Sequence, residues 1–345
     1  MKKKHYHFIG VGGVGMGTLA SLLLAKGHTV SGSDLKDSEL TTQLRKNGAL
    51  ISIGHHASNV KEPDHVVYSS AIPMTNPEMM ESVIRNIPLL KRAEVLAQLV
   101  NEQIGITIAG AHGKTTTTSM ISCLLLNAGI KPTTAVGGII NGNTYNAHLG
   151  EGKYFVAEVD ESDGTFLYFR PTYSIITNID FEHVDFYKDW KGILEAYRKF
   201  IDYTNDQGAL IVCAQDQKLK ELVKETNKKV IYYGLDESCD VWAKNIVSDG
   251  FHSRFDCFTK RGLVAQFELI VPGNHNVLNA LACISLGLQL GVSVEIIQKT
   301  LKEFGGVKRR FQLRGKVDEI MVIDDYGHHP TEIEATLKAA RLFNK

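Results

Sequence analysis

Two glycine-rich turns, each set between an apolar strand and a helix-period segment, constrain this chain more than any other feature. The first is Gly10-Val11-Gly12-Gly13-Val14-Gly15, after the strand His5 to Gly10 and before the helix Met16 to Lys26. The second is Gly110-Ala111-His112-Gly113-Lys114-Thr115, after the strand Ile104 to Ala109. A strand that feeds a helix through such a turn is the phosphate-binding unit of parallel α/β sheets, because backbone N–H groups at a helix start attract anions. Two units on 345 residues imply two sheets and two domains.

The rest of the pattern fits that frame. Strands are expected at His28 to Ser33, Ala49 to Ile53 and His65 to Tyr68, with helices at Pro77 to Arg85 and Arg92 to Asn101. Further apolar strands run Tyr154 to Val159, Ser174 to Ile179, Ala209 to Cys213 and Val230 to Gly234. An irregular β-rich stretch, Val241 to Val271, precedes the helix Asn274 to Gly291. Near Lys308 the pattern restarts, with a strand at Met321 to Asp324 and a helix at Thr331 to Phe343. The expectation is an α/β protein. Residues 1–98 form a Rossmann-like parallel-sheet domain, 99–307 a P-loop ATPase-like α/β domain, and 308–345 the first βα unit of a third. One βα unit cannot bury its own apolar face, so the last is either a fragment or an appendage packed on the second domain.

Equal numbers of acidic and basic residues, 38 each, give no broad field for nucleic acid or an anionic membrane, so anions must be held locally. The five cysteines form no C-x-x-C pair, which argues against a disulfide framework, a zinc site or a redox motif. The basic start runs straight into a strand with no apolar leader, and no long apolar run follows; a cytoplasmic protein is expected, without membrane or nucleic-acid partners.

Taken alone, the first turn with Asp34 at the end of the next strand reads as a dinucleotide site, Asp34 meeting ribose hydroxyls, as in an NAD-dependent dehydrogenase. Nothing downstream forms a hydride-transfer site, however. The second turn carries Gly-Lys-Thr, the core of a P-loop: Lys114 neutralises phosphate oxygens and Thr115 can ligate Mg²⁺. It departs from the general pattern in having Ile108 where the first glycine stands. Two strand ends supply acids for a metal, Glu158, Asp160, Glu161 and Asp163 after one, and Asp180, Glu182 and Asp185, with His183, after the other. Adjacent His328 and His329 diverge on an extended loop, which makes zinc improbable there.

These segments resemble the Mur ligase family: G-T/A-H-G-K-T at Gly110 to Thr115, E-x-D-E-S-D at Glu158 to Asp163, N-x-x-x-D/E-H-x-D at Asn178 to Asp185, and G-x-H-N-x-x-N at Gly273 to Asn279. Ile9 to Met16, Ser31 to Asp34, Ser69 to Ile72, Lys308 to Phe311 and Asp324 to Ile333 resemble its L-alanine-adding branch. The resemblance spans essentially the whole chain and implies ATP-dependent joining of L-alanine to the carboxylate of UDP-N-acetylmuramate, through an acyl phosphate, in peptidoglycan precursor synthesis. It moves the first turn from NAD to the UDP-sugar, held by Gly12, Gly13, Val14, Gly15, Asp34, His55, Ser69, Ser70 and Ala71. ATP would meet Gly110, Ala111, His112, Gly113, Lys114, Thr115, Thr116, Asn276, Asn279, Arg310 and Asp325. Thr115, Glu158 and His183 would hold Mg²⁺, and Lys114, Glu158, His183, Arg310 and His328 would carry the catalysis. The family's third domain is Rossmann-like and longer, so a C-terminally truncated member is expected, a monomer or homodimer; a nucleotide-binding module without ligase activity is the remaining alternative.

Overall fold

A computed structural model describes residues 2–141, 147–182 and 184–343. Its first sheet holds five parallel strands in the order Leu50–Ile53, Thr29–Asp34, His5–Ile9, His65–Tyr68, Leu89–Lys91. Parallel pairing needs crossover segments, and the helices Val14–Ala25, Glu39–Lys46 and Pro77–Ile84 supply them. The first begins inside the glycine turn, two residues before the expected Met16, because Gly13 is already the helix's N-terminal cap. Glu39–Lys46, not singled out from sequence, is started by Ser38, whose hydroxyl accepts from the Thr41 N–H at 3.2 Å.

The second sheet has ten strands in the order Gly262–Leu269, His252–Thr259, Val241–Asp249, Val230–Gly234, Ala209–Cys213, Tyr173–Ile176, Ile104–Ala109, Tyr154–Glu158, Thr133–Ala135, Ala147–His148. The P-loop strand Ile104–Ala109 lies between Tyr154–Glu158 and Tyr173–Ile176, parallel to both. That placement brings both acidic clusters to the side of the P-loop, at the carboxyl ends where parallel sheets bind ligands. The irregular β-rich stretch is a three-stranded antiparallel meander with two register shifts. Helices Lys114–Asn127 and Asn274–Gln289 share a core with the sheet through Met120, Leu124, Leu281 and Ile284, all fully buried. Trp190–Asp202, absent from the sequence reading, buries Ile193, Ala196, Tyr197, Phe200 and Ile201 on one face of the helix.

The last unit is an antiparallel ribbon, Gln312–Val317 with Ile320–Asp324, followed by the helix Pro330–Ala340. Only the second strand was anticipated; the first, QLRGKV, is polar and mostly exposed, so period-2 patterning does not reveal it. The helix stops before Phe343, which turns inward and stacks on Phe311 at 5.8 Å and meets Phe251 edge-on at 4.6 Å. Through these rings the unit packs on the meander of the central domain. No helix among the described residues is long and apolar enough to cross a membrane.

Candidate functional site

At the P-loop, Gly113 adopts φ +83, and a Cβ there would come within 2.6 Å of the Asn279 Oδ1, so glycine is needed for both shape and space. Lys114 follows, its ammonium turned back to Gly110 O at 2.5 Å and Ala111 O at 3.2 Å, and paired with both Glu161 oxygens at 2.9 and 3.0 Å. Burial works against that charge, but Glu161, then Glu158 and Asp160, outweigh it and raise the Lys114 pKa. The lysine is therefore a fixed cation beside the turn.

Thr115 Oγ1 donates to Glu158 Oε1 at 3.0 Å, and the Gly137 N–H donates to Glu158 Oε2 at 2.9 Å. Desolvation pushes the Glu158 pKa up despite Lys114 and these donors. A desolvated carboxylate that lines the cleft next to a P-loop threonine suits a small hard cation. Asp160, also desolvated, is instead held below the usual carboxylate range by the Ser162 N–H and by Lys114. His183 lies outside the described residues.

A cleft of about 530 Å³ opens beside the turn, lined by His112, Gly113, Thr115, Thr116, Asn276, Asn279, Arg310 and Asp325. Within its wall Asn279 donates to Asn276 Oδ1 at 3.2 Å and accepts from Thr117 at 3.1 Å, while Asn276 donates to Pro272 O at 2.7 Å. Their amides are oriented before any ligand arrives. Asp325 accepts from the Phe311 and Gly327 N–H groups, both at 2.7 Å, so its carboxylate shapes the loop as well as the wall. Desolvation lowers the pKa of His275, next to Asn276.

A second cleft, about 520 Å³, joins the two domains: Gly13, Val14, Gly15 and Ser69 face Lys114, Thr115, Glu158, Arg310 and His328 across it. The other residues predicted for the sugar nucleotide lie elsewhere. Asp34 Oδ2 accepts from the Gly12 N–H at 2.7 Å, which braces the first turn. His55 Nδ1 meets Ser33 Oγ at 2.8 Å, and Ser70 and Ala71 sit in the exposed turn after His65–Tyr68. Both Ser33 and His55 rest on Glu78, a fully buried carboxylate that also receives His7 at 3.1 Å and Asn59 at 2.7 Å.

Sequence reasoning assigned no role to Glu78, Gly137, Arg92 or Glu332, and took Glu161 only as a candidate metal acid. Glu161 stood in the right acidic cluster, but only side-chain geometry picks it as the Lys114 partner. Glu332 is 3.6 Å from Arg310 and 3.4 Å from His112 Nδ1. It is desolvated, yet His112, the His328 N–H and Arg310 hold its pKa down at about 2. Burial opposes the His112 charge, but Glu332, Asp180 and Glu182 raise its pKa above the usual value. Arg92 packs beside Gly15, 3.0 Å from where a Cβ would be, and is a basic group of the second cleft that no motif announced.

A Rossmann-like sheet and a P-loop sheet that share one cleft, with Lys114 and Glu158 at their junction, are the arrangement of an ATP-dependent ligase. The comparisons specify the family. Residues 5–104 match the Mur ligase family catalytic domain, 108–287 the Mur ligase middle domain, and 309–345 the Mur ligase glutamate ligase domain. The chain belongs to the Mur ligase family, a family of ATP-dependent carboxylate–amine ligases. It is 46% identical to the UDP-N-acetylmuramate--L-alanine ligase of Trichlorobacter lovleyi over 97% of this chain and 74% of that protein. The enzyme of the same name from Geotalea daltonii is 46% identical over 99% of this chain and 74% of its own length. Among solved structures, the UDP-N-acetylmuramate-alanine ligase of Thermotoga maritima superposes with a TM-score of 0.88 at 31% identity, covering 99% of this chain and 79% of that one. The murein peptide ligase of Psychrobacter arcticus gives 0.83 at 30% identity, over 98% and 76%.

Proposed function

We propose that this ligase joins L-alanine to the carboxylate of UDP-N-acetylmuramate, with ATP converted to ADP and phosphate, as a cytoplasmic step of peptidoglycan precursor synthesis. The observation that carries this reading is the cleft between the two glycine turns, where Gly15 and Ser69 face Lys114 and Glu158. A sugar nucleotide on the first turn can thus present its carboxylate to a triphosphate on the second. Relatives named for this reaction, at 46% identity, support the choice of substrates. The dehydrogenase alternative is not favoured, because the relatives and solved structures this chain matches are named as ligases.

Arranged this way, the residues have distinct work. Asn276 and Asn279 would read the adenine. The P-loop amides, Thr116 and Lys114 would hold the phosphates, with Arg310 reaching over from the third unit and Asp325 fixing its loop. Gly12 to Gly15, Asp34, His55 and Ser69 to Ala71 would hold or shape the UDP-sugar site. Thr115, Glu158 and His183 would hold magnesium, which when bound would supply positive charge to offset that of the phosphates. The substrate carboxylate oxygen attacks the γ-phosphorus and ADP leaves; the alanine amine then attacks the acyl carbon, phosphate departs, and the amine proton is lost to solvent or base. Lys114 and Arg310 stabilise the charge that gathers in the first step, so positioning and electrostatics dominate and no covalent protein nucleophile is required. His328, exposed on the rim, would face the reacting carboxylate and the incoming amine.

The test is phosphate release with ATP, UDP-N-acetylmuramate and a panel of amino acids, beside a full-length relative as control. Release that depends on both alanine and the UDP-sugar is expected. Alanine-independent release, or an NAD-linked absorbance change that survives loss of Lys114, overturns the reading.

A further inference from the structure

Where the P-loop meets the third unit, two imidazoles and a carboxylate converge beside the nucleotide cleft. His112 Nε2, His329 Nδ1 and a Glu182 oxygen lie within 4.8 Å of one another. Glu182 Oε1 stands 3.6 Å from the first nitrogen and 3.5 Å from the second. A tetrahedral ion with bonds of about 2.0–2.1 Å separates its ligands by roughly 3.3–3.5 Å, so the two Glu182 gaps are near those of a formed site, and the imidazole nitrogens, within 4.8 Å, would close on the ion by side-chain rotation. His329 Nδ1 is buried and makes no hydrogen bond among the described residues, although a buried imidazole nitrogen ordinarily finds a partner. Asp180 Oδ2 sits 3.0 Å from His112 Nε2 and 3.7 Å from His329 Nδ1, close enough to complete the set with a small rotation.

We propose that His112, Glu182 and His329 bind a divalent transition-metal ion of the zinc class. Two nitrogens and one carboxylate oxygen favour such an ion over magnesium, which takes oxygen ligands and stays hydrated, so its ligand set differs from Thr115 and Glu158, which line the same cleft as Glu182. The Glu332 oxygen 3.4 Å from His112 Nδ1 supplies the acidic neighbour that orients a metal-bound imidazole. Side-chain exposures of 16%, 15% and 26% leave an open position for water and a path of entry. His329 precedes the helix Pro330–Ala340, whereas His112 belongs to the P-loop. The ion therefore latches the third unit onto the nucleotide turn. The pairing crosses more than two hundred residues of chain, which is why the adjacent His328 and His329 gave no zinc signal from spacing: His329 turns inward to His112 and His328 stays exposed.

The test titrates the chelator-stripped full chain, free of magnesium and nucleotide, with Zn²⁺ against a chromophoric chelator, and with Co²⁺ to read the visible absorption of a tetrahedral site. One equivalent is expected to bind and to raise the thermal midpoint. His329→Ala and Glu182→Gln should each weaken binding about tenfold or more and abolish that rise, while melting like the parent in chelator. His252→Ala, on a distant strand, should bind as the parent does. If His329→Ala misfolds, Glu182→Gln alone decides. Absent stoichiometric binding, or parent-like affinity in a folded Glu182→Gln, leaves only an imidazole–carboxylate network and overturns the site.

Discussion

Single side chains at the junction are held by opposed charges, and this makes their replacement informative. Lys114 spends its donors on Glu161 and two carbonyls, so a triphosphate must outcompete bonds that already exist. Lys114→Ala should cut ATP turnover on the order of 10²–10³-fold or more, yet leave UDP-sugar binding near the parent value, because the first turn lies across the cleft. Calorimetry with each ligand checks this, and joint loss of both affinities in a folded variant counts against it. The Glu332–His112 contact predicts a pH window. Glu332 has a folded pKa of about 2 against 4.5, so its stabilisation is complete above 4.5 and lost as pH falls towards 2. His112, raised from 6.5, contributes fully below 6.5 and loses its share as pH climbs through the raised value. Thermal midpoints across pH should therefore fall at both ends, and Glu332→Gln should flatten the acid limb; unchanged limbs would refute the contact. At this scale the motif residues Lys114, Thr115, Asn276 and Asn279 were legible as types in a spacing. Glu161 and Glu332 were not, because a choice among neighbouring acids depends on side-chain direction.

Helix starts carry much of the site. Gly113 begins the helix Lys114–Asn127 in the left-handed region, and Gly113→Ala should cost about 1–2 kcal/mol from backbone strain alone. The added methyl also displaces the Asn279 amide, so weaker ATP binding should accompany the lower stability; denaturant melts and calorimetry read the two effects. Asp189 caps Trp190–Asp202 by accepting from the Gly192 N–H at 2.9 Å, and Asp189→Ala should cost about 1 kcal/mol with no change in nucleotide affinity. Strands such as Ile104–Ala109 and Ala209–Cys213 were readable to the residue because they are continuous apolar runs buried on both faces. The ribbon strand Gln312–Val317 was not, since exposed pairing needs no hydrophobic alternation.

Across the whole molecule the two clefts meet: Gly113, Thr115, Arg310 and Glu332 line both. The groups that would touch the γ-phosphate and the sugar carboxylate are therefore shared, and the two ligands should bind cooperatively. A non-hydrolysable ATP analogue is expected to tighten UDP-sugar binding at least about fivefold, and Arg310→Ala should remove most of that gain. Additive affinities in the parent would contradict the shared junction.

Composition, apolar patterning and the two glycine turns were sufficient to determine an α/β chain, because strand, turn and helix are written locally in residue order. Which acid faces Lys114, how Asp34 braces its own turn, and that His329 comes to rest on His112 belong to tertiary structure alone. Those pairings join residues far apart in the chain, and only sheet order and side-chain rotation bring them within a few ångströms.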